Sequence, residues 1–297
     1  MFALTWIPAT IAASGFQVAR NALQRGLMPS TGPWGATLVR FLFGLPFSLA
    51  FAGVALWLTP SARLQFTAVF WQAAMTGALT QVLATAALLV AMRRAGFAVG
   101  TALQQSSLPL SAIVGLVVFQ DRLSPLAWTG VAVTTAGLAV LTWPSPEATG
   151  PKPVSGAAFG LLSGLCFGVS LNAFRHSGLA LEPHHPVCSA LASVAVVQAV
   201  QAACLTAILA TRDRGSLRAV FAGWRESLGA GLCGACASAG WFLALALSPA
   251  APVRAVGVVE APMAALAGRR LFAERLGPRQ LIAGLAVLAG VVMTTLW

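Results

Sequence analysis

Ten times between Leu4 and Leu296 the sequence runs for about twenty residues with scarcely a charge, and each run ends in a cluster of Pro, Gly or Arg. A run of that length spans a hydrocarbon core of about 30 Å at about 1.5 Å per residue, and in lipid every backbone donor and acceptor must find a partner within the segment or its neighbours. The strict alternation that barrel strands require is absent, so the runs predict helices: Leu4–Gln24, Trp34–Leu58, Ala68–Met92, Gly96–Phe119, Pro125–Trp143, Val154–Phe174, Pro186–Thr211, Ser227–Leu247, Pro252–Phe272 and Pro278–Leu296. The chain is 58% apolar and 8% charged, and no stretch between the runs is long enough for a soluble domain. The expected fold is an all-α integral membrane protein of ten transmembrane helices.

A second feature divides those ten. "FQDRLSP" (Phe119–Pro125) returns as "FAERLGP" (Phe272–Pro278), 153 residues later. The same interval pairs Pro109 with Pro262, Gly115 with Gly268 and Gly137 with Gly290, while "VARNA" at Val18 and "VSLNA" at Val169 match at 151. The Pro- and Gly-rich "WPSPEATGPKP" (Trp143–Pro153) falls at the midpoint. The chain therefore reads as two five-helix repeats, residues 1–146 and 147–297. An odd number of helices per repeat turns the second copy upside down relative to the first, an arrangement used by transporters. Within the motif, Pro125 and Pro278 are placed in the first turn of the next helix, where a missing N–H costs nothing. Asp121 and Glu274 are structural punctuation at the interface.

Twelve of the eighteen basic residues fall in or beside the odd-numbered loops, which predicts that those loops are cytoplasmic and that both termini face outward. The net charge of +11 reads as topology and contact with anionic headgroups, and no aromatic-interleaved basic domain suggests nucleic acid. No basic n-region with a cleavage site precedes the first run, so no signal peptide is expected.

Polar side chains inside the runs are the candidate site, because each is costly unless it meets a partner or a wet cavity. Helix 1 places Thr10, Ser14, Gln17, Asn21 and Gln24 on one face. Helix 3 adds Gln81 and Thr85, helix 4 adds Thr101, Gln104 and Gln105, and helix 6 adds Ser163, Ser170 and Asn172. These stripes predict a central polar cavity lined by Gln17, Asn21, Gln81, Thr85, Gln104, Ser163 and Asn172; the competing reading is interhelical hydrogen bonding without a cavity. Trp241 on helix 8 offers the cavity a stacking surface. Pro109 and Pro262 each remove a helical hydrogen bond near mid-span at matched positions, and are expected as hinges.

Glu260 is the one acid within the membrane core, about 12 Å deep by its position in helix 9. It is protonated, paired with an arginine, or turned toward water and substrate. Arg254, six residues earlier on the same helix, points to another face of a continuous helix, so Arg20 or Arg40 is the expected partner. The five cysteines do not suggest a redox or metal site. Cys233 and Cys236 lie in the small-residue run "GAGLCGACASAG", which reads as close helix packing. His184 and His185 beside Glu182 lack further ligands at metal spacing. No cofactor, metal or catalytic constellation is expected, and the chain does not read as an enzyme.

"APMAALAGRRLFAERLGPRQLIAGLAVLAGVVM" (Ala261–Met293), its weaker copy "LPLSAIVGLVVFQDRLSPLAWTGVAVTTAGLAVL" (Leu108–Leu141) and "VRFLFGLPFSLA" (Val39–Ala50) resemble the EamA repeats of the drug/metabolite transporter superfamily. The resemblance covers nearly the whole chain. It implies a ten-helix bacterial-type inner-membrane exporter with a central cavity formed mainly by helices 1, 3, 4, 6, 8 and 9, working by alternating access on a small-molecule substrate. Within the superfamily the chain looks most like YddG-type exporters of aromatic and other neutral amino acids. The superfamily also includes exporters of other metabolites and drugs, and facilitated flux through a channel is the remaining alternative.

Overall fold

A computed structural model of the chain describes residues 5–119, 124–142, 153–272 and 277–295. Among them the regular elements are all helices: α1 (Trp6–Leu42), α2 (Leu45–Leu58), α3 (Ala68–Ala95), α4 (Phe97–Gln104), α5 (Ser107–Phe119), α6 (Pro125–Thr142), α7 (Pro153–Leu181), α8 (Pro186–Arg212), α9 (Arg214–Ala222), α10 (Trp224–Leu247), α11 (Ala250–Gly257), α12 (Glu260–Phe272) and α13 (Pro278–Thr295). Among the described residues five helical stretches are long and apolar enough to cross a membrane: Trp6–Leu58, Ala68–Ala95, Val154–Leu181, Pro186–Arg212 and Trp224–Leu247. The chain is an α-helical membrane protein. Asp121, Glu274 and residues 143–152 of the midpoint linker lie outside the described residues.

Three predicted runs are interrupted. α1 continues through a kink at Gly32 (φ +65°, ψ 175°), a left-handed conformation that suits glycine, with Pro29 and Pro33 on either side. The second run breaks at Phe43 and Gly44, and the fourth and ninth runs are each two helices, α4–α5 and α11–α12.

The last three helices repeat the bounds of α4, α5 and α6. Moved on by 153 residues, the limits of α4, α5 and α6 become those of α11, α12 and α13. The breaks repeat as well. Gln105, Ser106 and Leu108 donate their N–H groups to the carbonyls of Ala102, Leu103 and Gln105, at 2.9, 3.1 and 2.9 Å. Val258, Val259 and Ala261 donate to Ala255, Val256 and Val258, at 3.1, 3.2 and 2.8 Å. Pro109 and Pro262 explain both exchanges. Neither has an N–H for the carbonyl four residues back, so the preceding residue donates to that carbonyl in a tighter turn and the helix restarts.

By contact density the chain forms two compact units, Met1–Val82 with Ala173–Ser248, and Leu83–Asn172 with Pro249–Trp297. Each draws on both halves of the sequence, so the sequence repeat and the compact unit divide the chain differently.

In the first unit α10 packs along α1. A Cβ added to Gly240 would lie 3.0 Å from the Ala9 carbonyl oxygen, and one on Gly234 would lie 3.1 Å from Arg40 Cγ. The small-residue run around Cys233 and Cys236 therefore serves close packing, as its composition suggests. Leu38, Val39, Phe41, Leu205, Leu209 and Val220 form the apolar cluster beneath α9. The α2–α3 loop is tied to the α7–α8 loop. Glu182 accepts the N–H groups of Arg63 (2.8 Å) and His184 (3.0 Å), Gln65 N–H donates to the Leu181 carbonyl (2.9 Å), and Ser61 Oγ meets His185 Nε2 at 3.1 Å.

In the second unit α6 and α13 pack reciprocally. A Cβ on Gly137 would meet Val287 N at 3.0 Å and the Ala283 carbonyl at 3.1 Å; one on Gly290 would meet Thr134 N and the Gly130 carbonyl, both at 2.6 Å. Each of those contacts becomes the other when 153 is added to one side and subtracted from the other. The register falls along α13 as it rises along α6, so the two helices are antiparallel. Gly156, Gly160 and Gly164, four residues apart on one face of α7, seat the neighbouring chain: added Cβ atoms would lie 2.8 Å from Ala95 N, 2.6 Å from Leu103 Cβ, and on the Ser106 hydroxyl.

Candidate functional site

The second unit holds a charged cluster where its two helix breaks meet. Arg254 stands in the last turn of α11 and Glu260 opens α12; both are buried, at 2% and 0% exposure, with Arg254 Nη1 3.6 Å from Glu260 Oε2. Gln105, which caps α4 at the other break, joins them: Arg254 Nη2 donates to Gln105 Oε1, and Gln105 Nε2 donates to Glu260 Oε2 at 3.4 Å. The expectation that Arg254 faces away from Glu260 is corrected. Six residues on a continuous helix turn through about 240°, but the chain here leaves α11 and restarts at α12, which resets the angle. Each charge also sits at the favourable end of its half-helix, the cation at a C-terminus and the carboxylate at an N-terminus.

Around the first break the polar side chains are differently placed. Thr101 Oγ1, Gln104 Oε1, Ser106 Oγ and Ser107 Oγ are buried and make no hydrogen bond. An orphaned buried hydroxyl or amide costs about 1–3 kcal/mol, so four within seven residues concentrate unmet bonding capacity at this break. Thr101 and Ser107 hold the positions that Arg254 and Glu260 hold in the second half, which leaves one break neutral and the other ionic.

The first unit gathers another group on α1 and α10. Trp241 Nε1 donates to Gln17 Oε1 at 2.9 Å. Arg20 donates to Asn21 Oδ1 from Nε (3.1 Å) and Nη2 (2.6 Å), and Arg40 Nη2 donates to Ser238 Oγ at 3.3 Å. Gln24 Nε2 reaches the Ala36 carbonyl at 2.6 Å, holding the two arms of α1 together across the Gly32 kink.

The remaining predicted residues divide. Gln81 Oε1 accepts from Gln201 Nε2 at 2.9 Å, a partner that the stripes did not point to. Thr85 is buried. Ser163 donates to the Ala84 carbonyl at 2.8 Å and Asn172 to the Gly168 carbonyl at 3.0 Å, so these two are engaged with backbone. The helix 1 stripe is buried throughout, though Thr10 and Ser14 donate to carbonyls one turn back on their own helix. Pro109 and Pro262 stand at the third position of α5 and α12, beside the breaks.

No family model and no curated protein matches the sequence. Among solved structures, a crystal structure of a protein superposes with a TM-score of 0.59 at 20% identity, over 97% of this chain and 98% of that one. At that identity the likeness concerns the fold alone, and it extends over essentially the whole of both chains.

Proposed function

We propose that the chain is a secondary transporter of the drug/metabolite type, a multi-pass protein of the bacterial-type inner membrane. In this reading its ten helices form two inverted repeats, residues 1–146 and 147–297, around a polar pathway. It exports small metabolites by alternating access, and aromatic or other neutral amino acids are the first candidates.

The reciprocal antiparallel packing of α6 on α13 carries this reading. Two copies of one helix that run in opposite directions are what an inverted repeat produces. The matched breaks support it further: the helices are interrupted at corresponding positions, with Gln105, Arg254 and Glu260 at the breaks together with the orphaned hydroxyls of Thr101, Ser106 and Ser107. Loop contacts agree with the proposed sidedness. The α1 kink between helices 1 and 2 touches α9, between helices 7 and 8, so odd meets odd; the loop after helix 2 touches the loop after helix 6, so even meets even.

Counterflow in sealed proteoliposomes, with labelled amino acids, nucleosides and cationic drugs in parallel, tests the proposal. Uptake of a neutral amino acid accelerated by the same amino acid trapped inside supports it. Acceleration by a nucleoside or drug alone moves the substrate elsewhere in the superfamily. Flux indifferent to trapped substrate favours a channel, and no flux with any panel member contradicts transport of these classes.

A further inference from the structure

α9 is a nine-residue helix that the hydropathy of the chain does not announce, lying between the long helices α8 and α10. Its inner face is occupied. Val220 is fully buried, and the Ser216 and Val220 side chains close on Gly35 of α1, within 3.6 and 3.3 Å of an added Cβ. Its start is fixed by Asp213, whose carboxylate accepts from Ser216 Oγ at 2.6 Å and Ser216 N–H at 3.0 Å, and those bonds hold its pKa below the usual aspartate range.

The outer face combines two chemistries that water alone does not suit. Arg214, Arg218 and Phe221 share one side of α9 at helical spacing; both arginines are exposed and Phe221 is 51% exposed. Trp224, 48% exposed, follows at once with the Arg225 guanidinium 5.4 Å from its ring centroid. Four arginines stand between Arg212 and Arg225 against Asp213, engaged in the cap, and Glu226. Guanidiniums bind phosphate in a forked geometry, and aromatic rings settle at the level where headgroup meets acyl chain.

We propose that the outer face of α9 is a binding site for anionic phospholipid, with Arg214 and Arg218 on the headgroup phosphate and Phe221 and Trp224 in the acyl boundary. The site is independent of what the protein transports. It differs from general attraction of a basic chain to a membrane, because it assigns the effect to one face of α9 and the first residue of α10.

The test compares thermal unfolding of the full chain in phosphatidylcholine vesicles with and without phosphatidylglycerol. Phosphatidylglycerol is expected to raise the midpoint of the unaltered protein, and the rise is expected to shrink as salt shortens the Debye length from about 30 Å to about 3 Å. R214Q/R218Q is expected to lose more than half of the rise, and R279Q, which removes an exposed arginine at the start of α13, to keep it. If the double variant fails to fold in phosphatidylcholine, native mass spectrometry of F221S replaces it, with fewer retained phosphatidylglycerol molecules expected. An equal loss in R279Q, a full rise in R214Q/R218Q, unchanged lipid retention in F221S, or a rise indifferent to salt overturns the proposal. So does equal stabilisation by soluble glycerol phosphate without anionic lipid, which would mark a free-phosphate site.

Discussion

Arg254 Nη1 and Glu260 Oε2 lie 3.6 Å apart across the gap between α11 and α12, each almost wholly buried. The pair joins two half-helices, and Gln105 ties it to the break in α4–α5. Removing one partner leaves the other charge buried without its ion-pair partner, which typically costs about 3–5 kcal/mol, whereas replacing both with apolar residues of similar size is often near neutral. Glu260→Gln and Arg254→Met are each expected to lower the unfolding midpoint in detergent sharply, and the double replacement R254M/E260L to lower it less than either. Single variants as stable as the unaltered chain would show that the pair does not hold the break together.

The glycine face of α7 predicts a second stability pattern. Gly160→Leu forces a side chain onto Leu103, where even a Cβ lies at 2.6 Å, and overpacking of this kind costs about 1–3 kcal/mol. Gly15→Ala on α1 meets nothing within 4 Å and is expected to be neutral or to stabilise by about 0.5–1 kcal/mol, the ordinary helix preference for alanine. Thermal unfolding of the two variants side by side checks this; equal behaviour would contradict it.

Trp241 is held by Gln17, and the transport reading gives its ring a substrate to stack on. Trp241→Ala, at normal expression and folded yield, is expected to reduce counterflow of aromatic amino acids at least about tenfold, a difference of about 1.4 kcal/mol. Transport of every substrate at the unaltered rate would remove Trp241 from the pathway and leave it a packing role.

Glu182 makes the tie between the α2–α3 and α7–α8 loops sensitive to acid. The N–H groups of Arg63 and then His184 favour its ionised form and hold its pKa below the ordinary value of 4.5. A depressed folded-state pKa means that the stabilisation is complete above that ordinary value and is lost as pH falls through the lower, folded one. Hydrogen exchange at the Arg63 amide is expected to quicken on acidification through that window beyond the intrinsic change, and Glu182→Gln is expected to abolish the extra acid dependence. An acid response that survives in the Gln variant would assign it to another group.

Much of this was legible in the sequence because lipid imposes a simple demand. Among the described residues the predicted runs fall on helix, three of them interrupted, and Pro109 and Pro262, paired by the interval of 153 residues, stand beside two of the breaks. The Arg254–Glu260 pair is illegible for a physical reason: the two residues stand on different half-helices, and the break that the prolines announce invalidates angles drawn on one continuous helix. α9 escaped notice because its arginines depress the hydropathy while its apolar side, Leu217 and Val220, is too short to register. The face of Gly156, Gly160 and Gly164 was hidden by the abundance of glycine elsewhere; only the approach of Leu103 and Ser106 distinguishes it.

Sidedness at the two copies of the repeated turn tests the inverted architecture most directly. Single cysteines at Ser124 and Gly277, beside the first residues of α6 and α13, are introduced into a variant lacking Cys166, Cys188, Cys204, Cys233 and Cys236, and labelled in sealed vesicles with a membrane-impermeant maleimide. Labelling of Ser124→Cys from outside and of Gly277→Cys only after the inner face is opened is expected. Labelling of both from the same side would contradict the inverted repeat and the transporter reading built on it.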